Sequence, residues 1–178
     1  IDDGLSSGSL FETEKWQNFM KSWMDGKGSL HFLGLLQDEG VHAHQEHLFK
    51  LMRRARQTWA EGQIIVHPFL DGRDTPPRST LEYIGRLQKE MEAIGNCKIG
   101  TVMGRYYAMD RSRNYELTSQ AYETLVACQG RKAADAVSAV KESYANDKTP
   151  DGVEMTDEYI VPYVIGDYAG IKDGDVVM

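Results

Sequence analysis

The segment Gly104-Arg105-Tyr106-Tyr107-Ala108-Met109-Asp110-Arg111 gathers two arginines, two tyrosines and an aspartate. A guanidinium presents a planar fork of donors that fits a carboxylate or phosphate two bonds at a time, so this composition points to an anion. Two further segments carry related chemistry. Asp71-Gly72-Arg73-Asp74-Thr75-Pro76-Pro77 sets a cation beside an acceptor-only carboxylate, and Gln37-Asp38-Glu39-Gly40-Val41-His42-Ala43-His44 supplies imidazoles. His42, His44, Arg73, Asp74, Arg105 and Arg111 are therefore the candidate site residues, provided that the fold brings the three segments together.

The intervening pattern says how it would. Short apolar runs at His31–Leu36, Ile64–Leu70 and Ile99–Met103 read as strands, and each of them ends at one of the three segments. Helical spacing separates the runs. Trp16, Phe19, Met20 and Trp23 fit one face of a helix ending near Gly26, and Leu48, Leu51, Met52, Ala55 and Trp59 fit one face of the next. Ser79-Thr80-Leu81-Glu82 reads as a capping box opening a helix with Leu81, Ile84, Leu87 and Met91 on its inner face. Further helices are expected over Leu117–Ala127 and Ala133–Tyr144, and Asn146–Thr156 reads as a loop. Tyr159–Ile165 reads as a strand that Pro162 would confine to an edge.

Alternating strands and helices predict an α/β fold: three layers, α/β/α, around a mostly parallel sheet in a single domain spanning residues 1–178. In such sheets ligands bind beyond the carboxyl ends of the strands. The three segments would share that edge. The opposite loops, Trp59–Gln63 and Ile94–Lys98, hold no comparable cluster.

Each candidate has a plainer alternative. His42, His44 and His47 could hold zinc, but no cysteine or well-placed carboxylate completes a ligand set, so solvated or helix-capping roles are favoured and no metal ligand is assigned. Asp74 could cap a helix before Pro76 and Pro77. With Ser79 and Glu82 expected to fill that task, it is free for chemistry. Arg105 and Arg111 could bridge loop carbonyls, with Asp110 orienting one of them. Arg53, Arg54 and Arg56 are expected to form a solvated helix face, and His67 to be a satisfied core histidine.

Composition narrows the function classes. The chain has 178 residues, 41% hydrophobic and 26% charged, with a formal charge of −7. A net acidic chain without a long basic run is a poor partner for nucleic acid or an anionic membrane surface. No apolar run is long enough to span a bilayer, and no signal peptide is visible. Cys97 and Cys128 fit no ligand pattern and read as free thiols in a reducing compartment. The opening at Ile1 and the strand-like Val176-Val177-Met178 suggest a piece cut from a longer protein.

The strings Leu35–His44, Phe69–Pro77 and Gly104–Arg111 resemble cofactor-independent phosphoglycerate mutase, and specifically its inserted substrate-binding (transferase) domain. The likeness runs from about Phe11 to the end of the chain. It implies a glycolytic, cytoplasmic isomerase that interconverts 3-phosphoglycerate and 2-phosphoglycerate. A serine in a separate phosphatase-like domain of the same chain would carry the phosphoryl group, helped by two manganese ions held there and none held here. His42, Arg73, Asp74, Arg105 and Arg111 match the family's substrate-binding positions, and Asp74 matches its general base.

The chain departs from the family in its first loop, which reads Gln37-Asp38-Glu39-Gly40 in place of Ser-Asp-Gly-Gly. Glu39 adds bulk and negative charge beside an anion site. The serine nucleophile, the metal ligands and a further arginine pair fall outside the sequence, so the fragment is expected to be inactive alone. The alternative is a stand-alone regulatory module that senses small anions without catalysis.

Overall fold

The structure, a computed structural model, describes residues 1–178. After α1 (Asp2–Ser7) and α2 (Glu14–Gly26), the strands β1 (Leu30–Leu35) and β2 (Ile64–Leu70) flank α3 (Gln45–Thr58). Then follow α4 (Thr80–Ile94), β3 (Cys97–Ile99), β4 (Thr101–Gly104), the single turn α5 (Arg105–Ala108) and α6 (Tyr115–Ala127). β5 (Arg131–Ala133), α7 (Ala136–Asn146), β6 (Tyr163–Ile165) and β7 (Val176–Val177) complete the chain. The sheet order is β5-β6-β4-β2-β1-β7, with β3 also beside β2. Every pairing is parallel except β4 with β6. No helix is long and apolar enough to cross a membrane.

Alternation along β2 sorts its side chains onto two covered faces. Ile64, Val66 and Leu70 join Phe32, Trp23, Met52 and Leu87 in the main core, under α2, α3, α4 and α7. Ile65 packs with Val164 and Tyr168, and Phe69 with Met103, Ala121 and Leu125, beneath α6. The three-layer expectation holds. Trp23 is fully buried, packs edge-on against Trp59 and donates its indole N–H to the Gly28 carbonyl at 3.1 Å.

Pro68 lies inside a central strand, and the sheet adapts to it. Even-numbered residues of β2 exchange hydrogen bonds with the third strand: Ile64 donates to Asn96, and Gly100 donates to Val66. Proline has no N–H to continue the ladder. The Gly100 carbonyl instead accepts from Ile165, and the expected strand Ile99–Met103 breaks into β3 and β4 at Gly100.

Four further expectations are corrected. β6 is interior, because Pro162 precedes it and only Tyr163–Ile165 pairs, with β4 on one side and β5 on the other. The helix expected from Ala133 begins only at Ala136, after β5, and Asp135 caps it by accepting from Ser138 N–H at 2.8 Å. The Ser79–Glu82 capping box does not form. Asp157, distant in sequence, accepts from both Ser79 N–H (2.9 Å) and Thr80 N–H (3.0 Å), while Glu82 pairs with Arg86. The arginines of α3 are not simply solvated either. Arg53 pairs with Glu90, and Arg56 donates to carbonyls of Trp59, Ala60, Gly62, Gly95 and Asn96, tying together the two loops of the amino edge.

His67 is a satisfied core histidine, as its surroundings in the sequence suggested. It and His31 are both fully buried, with near-parallel rings and Tyr168 edge-on to each. The Asp175 carboxylate accepts only, so His31 donates from Nε2 (3.2 Å). Two neutral rings then satisfy the whole chain: His67 Nε2 donates to His31 Nδ1 (2.9 Å), and Thr101 donates to His67 Nδ1 (2.9 Å). Burial depresses both imidazoles and lowers His67 to about 3.

Candidate functional site

β1, β2 and β4 run parallel, so the segments that leave them meet at one edge. The first is anchored at Asp38, whose carboxylate accepts from Tyr83 (2.7 Å) and Arg86 (2.9 Å) of α4. Gln37 is fully buried, and its side-chain oxygen accepts from the N–H groups of Glu39 (2.6 Å) and Gly40 (3.2 Å). Gln37 thereby closes the turn, and the Glu39 side chain is exposed. The three imidazoles turn to three different partners. His44 Nδ1 caps α3 by accepting from Glu46 N–H (3.2 Å), His47 meets Asp2 (2.7 Å), and His42 Nε2 lies 3.4 Å from Asp74 Oδ2.

The second segment is organised by Asp71, which is 2% exposed. Its Oδ1 accepts from the N–H groups of Arg73 (3.1 Å) and Asp74 (2.9 Å), and the Thr75 hydroxyl accepts from Gly72 N–H (3.1 Å). These bonds to residues two and three further on fold the chain back, as aspartate does in turns. Gly72 has φ +65°, and a Cβ there would crowd Asp157 and Glu158.

The third segment does not stay a loop: Arg105–Ala108 makes the helical turn α5. Gly104 donates to the Ile160 carbonyl at 2.7 Å, which brings the antiparallel return of the chain against the site. Arg105 Nη1 donates to Asp71 Oδ1 (2.8 Å) and Asp74 Oδ2 (2.6 Å). The hydrogen bond from Arg105 holds the Asp74 carboxyl below the usual carboxylate range, with the charges of Arg105, His42 and Arg73 acting the same way. Asp110 orients no arginine. It accepts from Ser112 (3.1 Å) and Asn114 (2.7 Å) N–H groups and turns the chain into α6.

Of the five candidate binding residues, His42, Asp74 and Arg105 form one cluster, in which Arg105 bonds Asp74 and His42 approaches it to 3.4 Å. Arg73 stands beside it, its side chain half exposed and 3.4 Å from Glu158. Arg111 is exposed and makes no hydrogen bond or ion pair within the chain. Sequence reasoning did not single out Asp71, Asp157 or Glu158. Asp71 opens the second segment, whereas Asp157 and Glu158 sit in a polar stretch with no local pattern to mark them. An apolar hollow of ≈ 440 Å³ adjoins His42 between β1, α1 and α3. Its lining is mostly apolar, with Leu5, Leu33, Leu48 and Leu51, and although His42, His44 and His47 border it, no arginine or lysine does, so the polar cluster is the candidate site.

No group of three or more His, Cys, Asp or Glu side chains could hold a metal ion. Arg105 between the two aspartates would also repel a cation there.

Comparisons with known proteins agree with this architecture. The sequence is 38% identical over 182 residues to the 2,3-bisphosphoglycerate-independent phosphoglycerate mutase of Listeria welshimeri, covering 100% of this chain and 34% of the relative. It is 41% identical over 178 residues to the enzyme of that name from Gluconobacter oxydans, covering 100% of this chain and 33% of the relative. The chain thus spans about a third of the length of the curated relatives it matches. Among solved structures, the phosphoglycerate mutase of Leishmania mexicana, crystallised at low cobalt concentration, superposes with a TM-score of 0.90 at 26% identity, covering 99% of this chain and 33% of that one. The sequence profile of the family described as BPG-independent PGAM N-terminus matches residues 1–178, and the chain belongs to that family.

Proposed function

We propose that residues 1–178 are the substrate-holding domain of a phosphoglycerate mutase that interconverts 3-phosphoglycerate and 2-phosphoglycerate. The observation that carries this is the cluster of His42, Asp74 and Arg105 at the carboxyl edge, with Arg73 exposed beside it and Arg111 exposed six residues after Arg105. Arginines neutralise carboxylate and phosphate charge and fix orientation, which is the larger part of what phosphoryl transfer needs from a protein. His42 donates to the same anion. Asp74 is the base: it takes the proton of a glycerate hydroxyl while that oxygen bonds to phosphorus and the serine oxygen leaves.

That serine belongs to the phosphatase-like domain of the same chain, and so do the manganese ions. When bound, they offset negative charge on the phosphoryl group. The residues here do not fit a metal, so every step assigned to this domain uses its own side chains. On this basis the domain alone is inactive and binds phosphoglycerate weakly, and the intact enzyme works in the cytoplasm, in glycolysis.

Arg111→Ala in the full-length enzyme is the cleanest test, because Arg111 supports nothing in the fold. Loss of a charge-assisted contact to substrate lowers kcat/KM by at least ~10-fold with an unchanged melting temperature. Unchanged kinetic constants would overturn the assignment of the third segment to substrate.

A further inference from the structure

One buried carboxylate in the site has no substrate task. Asp71 is closed off from solvent, and its Oδ2 is buried without a partner. A carboxylate so placed needs a cation, and Arg105 is the cation bonded to it, at 2.8 Å. The same guanidinium nitrogen bonds Asp74 at 2.6 Å. While that bond stands, Asp74 Oδ2 is held by Arg105, and the guanidinium makes the carboxylate a weaker acceptor for a hydroxyl proton. The other charged or titratable groups facing this pair are His42 and Arg73 on the Asp74 side and Asp157 on the Asp71 side. None of them offers Arg105 a second bond.

We propose that Asp71 is a positioning residue for phosphoryl transfer: it retains Arg105 by Nη1 while Asp74 releases that guanidinium to meet the substrate hydroxyl. The proposal rests on the reading of Asp74 as the base. Arg105 Nε and Nη2 bond no protein acceptor and are left for the phosphate or carboxylate of the substrate. The proton passes from the hydroxyl to Asp74. Without the Asp71 charge, Arg105 has Asp74 as its one carboxylate partner and pins the base in place.

The test uses the full-length mutase. Asp71→Asn keeps a side-chain oxygen for the Arg73 and Asp74 N–H groups and removes the charge. The expected result is a kcat lower by ~10- to 100-fold with KM changed less than ~3-fold, the pattern of a misplaced catalytic group and not of lost substrate binding. In an Arg105→Ala background the same change costs less than ~2-fold, because Asp71 acts through Arg105. Wild-type kcat, or equal losses in both backgrounds, would overturn the proposal.

Asp74→Asn runs in parallel. Turnover surviving there removes the base assignment itself, whereas turnover lost there but normal in Asp71→Asn removes only the role given to Asp71. If Asp71→Asn does not fold, a crystal structure of the unmodified enzyme with phosphoglycerate decides. Arg105 still on Asp71 with Asp74 turned to the hydroxyl supports the proposal. Arg105 off Asp71 refutes it.

Discussion

Acid should unfold this domain through its buried histidines before its carboxylates. His67 is held neutral, with its imidazole lowered to about 3 from 6.5. Between those values the unfolded chain binds a proton that the folded chain refuses, so stability is complete above 6.5 and falls as pH drops toward 3. Each pH unit is worth ~1.4 kcal/mol for one differentially bound proton. Lowering the pH from neutral to about 5 therefore removes ~2 kcal/mol through His67 alone, a sizeable share of a typical domain's stability. His31, also depressed by burial, acts in the same direction. Asp157, which burial raises, gains protons on folding and offsets part of the loss. Comparison with His67→Gln cancels that offset, since Asp157 is present in both proteins.

The assay is urea unfolding followed by tryptophan fluorescence, with Trp23 buried in the main core. His67→Gln should be less stable at neutral pH, yet lose at least ~1 kcal/mol less than the parent between pH ~7 and ~5. Equal losses in the two proteins would refute the neutral-pair assignment.

Two further outcomes follow from the packing around the site. Gly104→Ala should destabilise by ~3 kcal/mol or more in thermal unfolding, because its Cβ would overlap the Glu158 carbonyl and neither backbone can move aside cheaply. Wild-type stability would refute the tight packing of the Asp157–Tyr159 turn against Gly104. Asp157→Ala should cost ~2 kcal/mol through the lost cap of α4, whereas Asp157→Asn, which still caps, should cost less than ~1. Equal costs would mean that Asp157 stabilises by something other than capping.

The strands were legible because both faces of a parallel sheet are covered, which leaves continuous apolar runs such as Ile64–Leu70. The helices with a one-sided apolar face, α2, α3 and α4, were legible for the same reason of burial. What failed depended on partners distant in sequence. Ser79 and Glu82 carry a capping signature, but Asp157 lies close enough to take both N–H groups and wins by tertiary contact. β5 is three largely exposed residues beside a helix, with too little apolar content to separate the two. Arg56 looked like one of three surface arginines until the fold set five carbonyls around it. At the site, residue type alone pointed to His42, Asp74 and Arg105. It said nothing of Asp71, whose cationic partner is a guanidinium 34 residues away.

The proposal that three segments converge on one seat for phosphoglycerate is tested most directly by an amide-shift titration of the isotope-labelled chain with 3-phosphoglycerate, taken to about 20 mM to reach a weak site. Shifts should concentrate at His42, Asp74, Arg105 and their neighbours, with Ala60–Gly62 and Gly95–Asn96 on the opposite edge unmoved. Silence in all three loops, or a response centred on that opposite edge, would contradict the assignment.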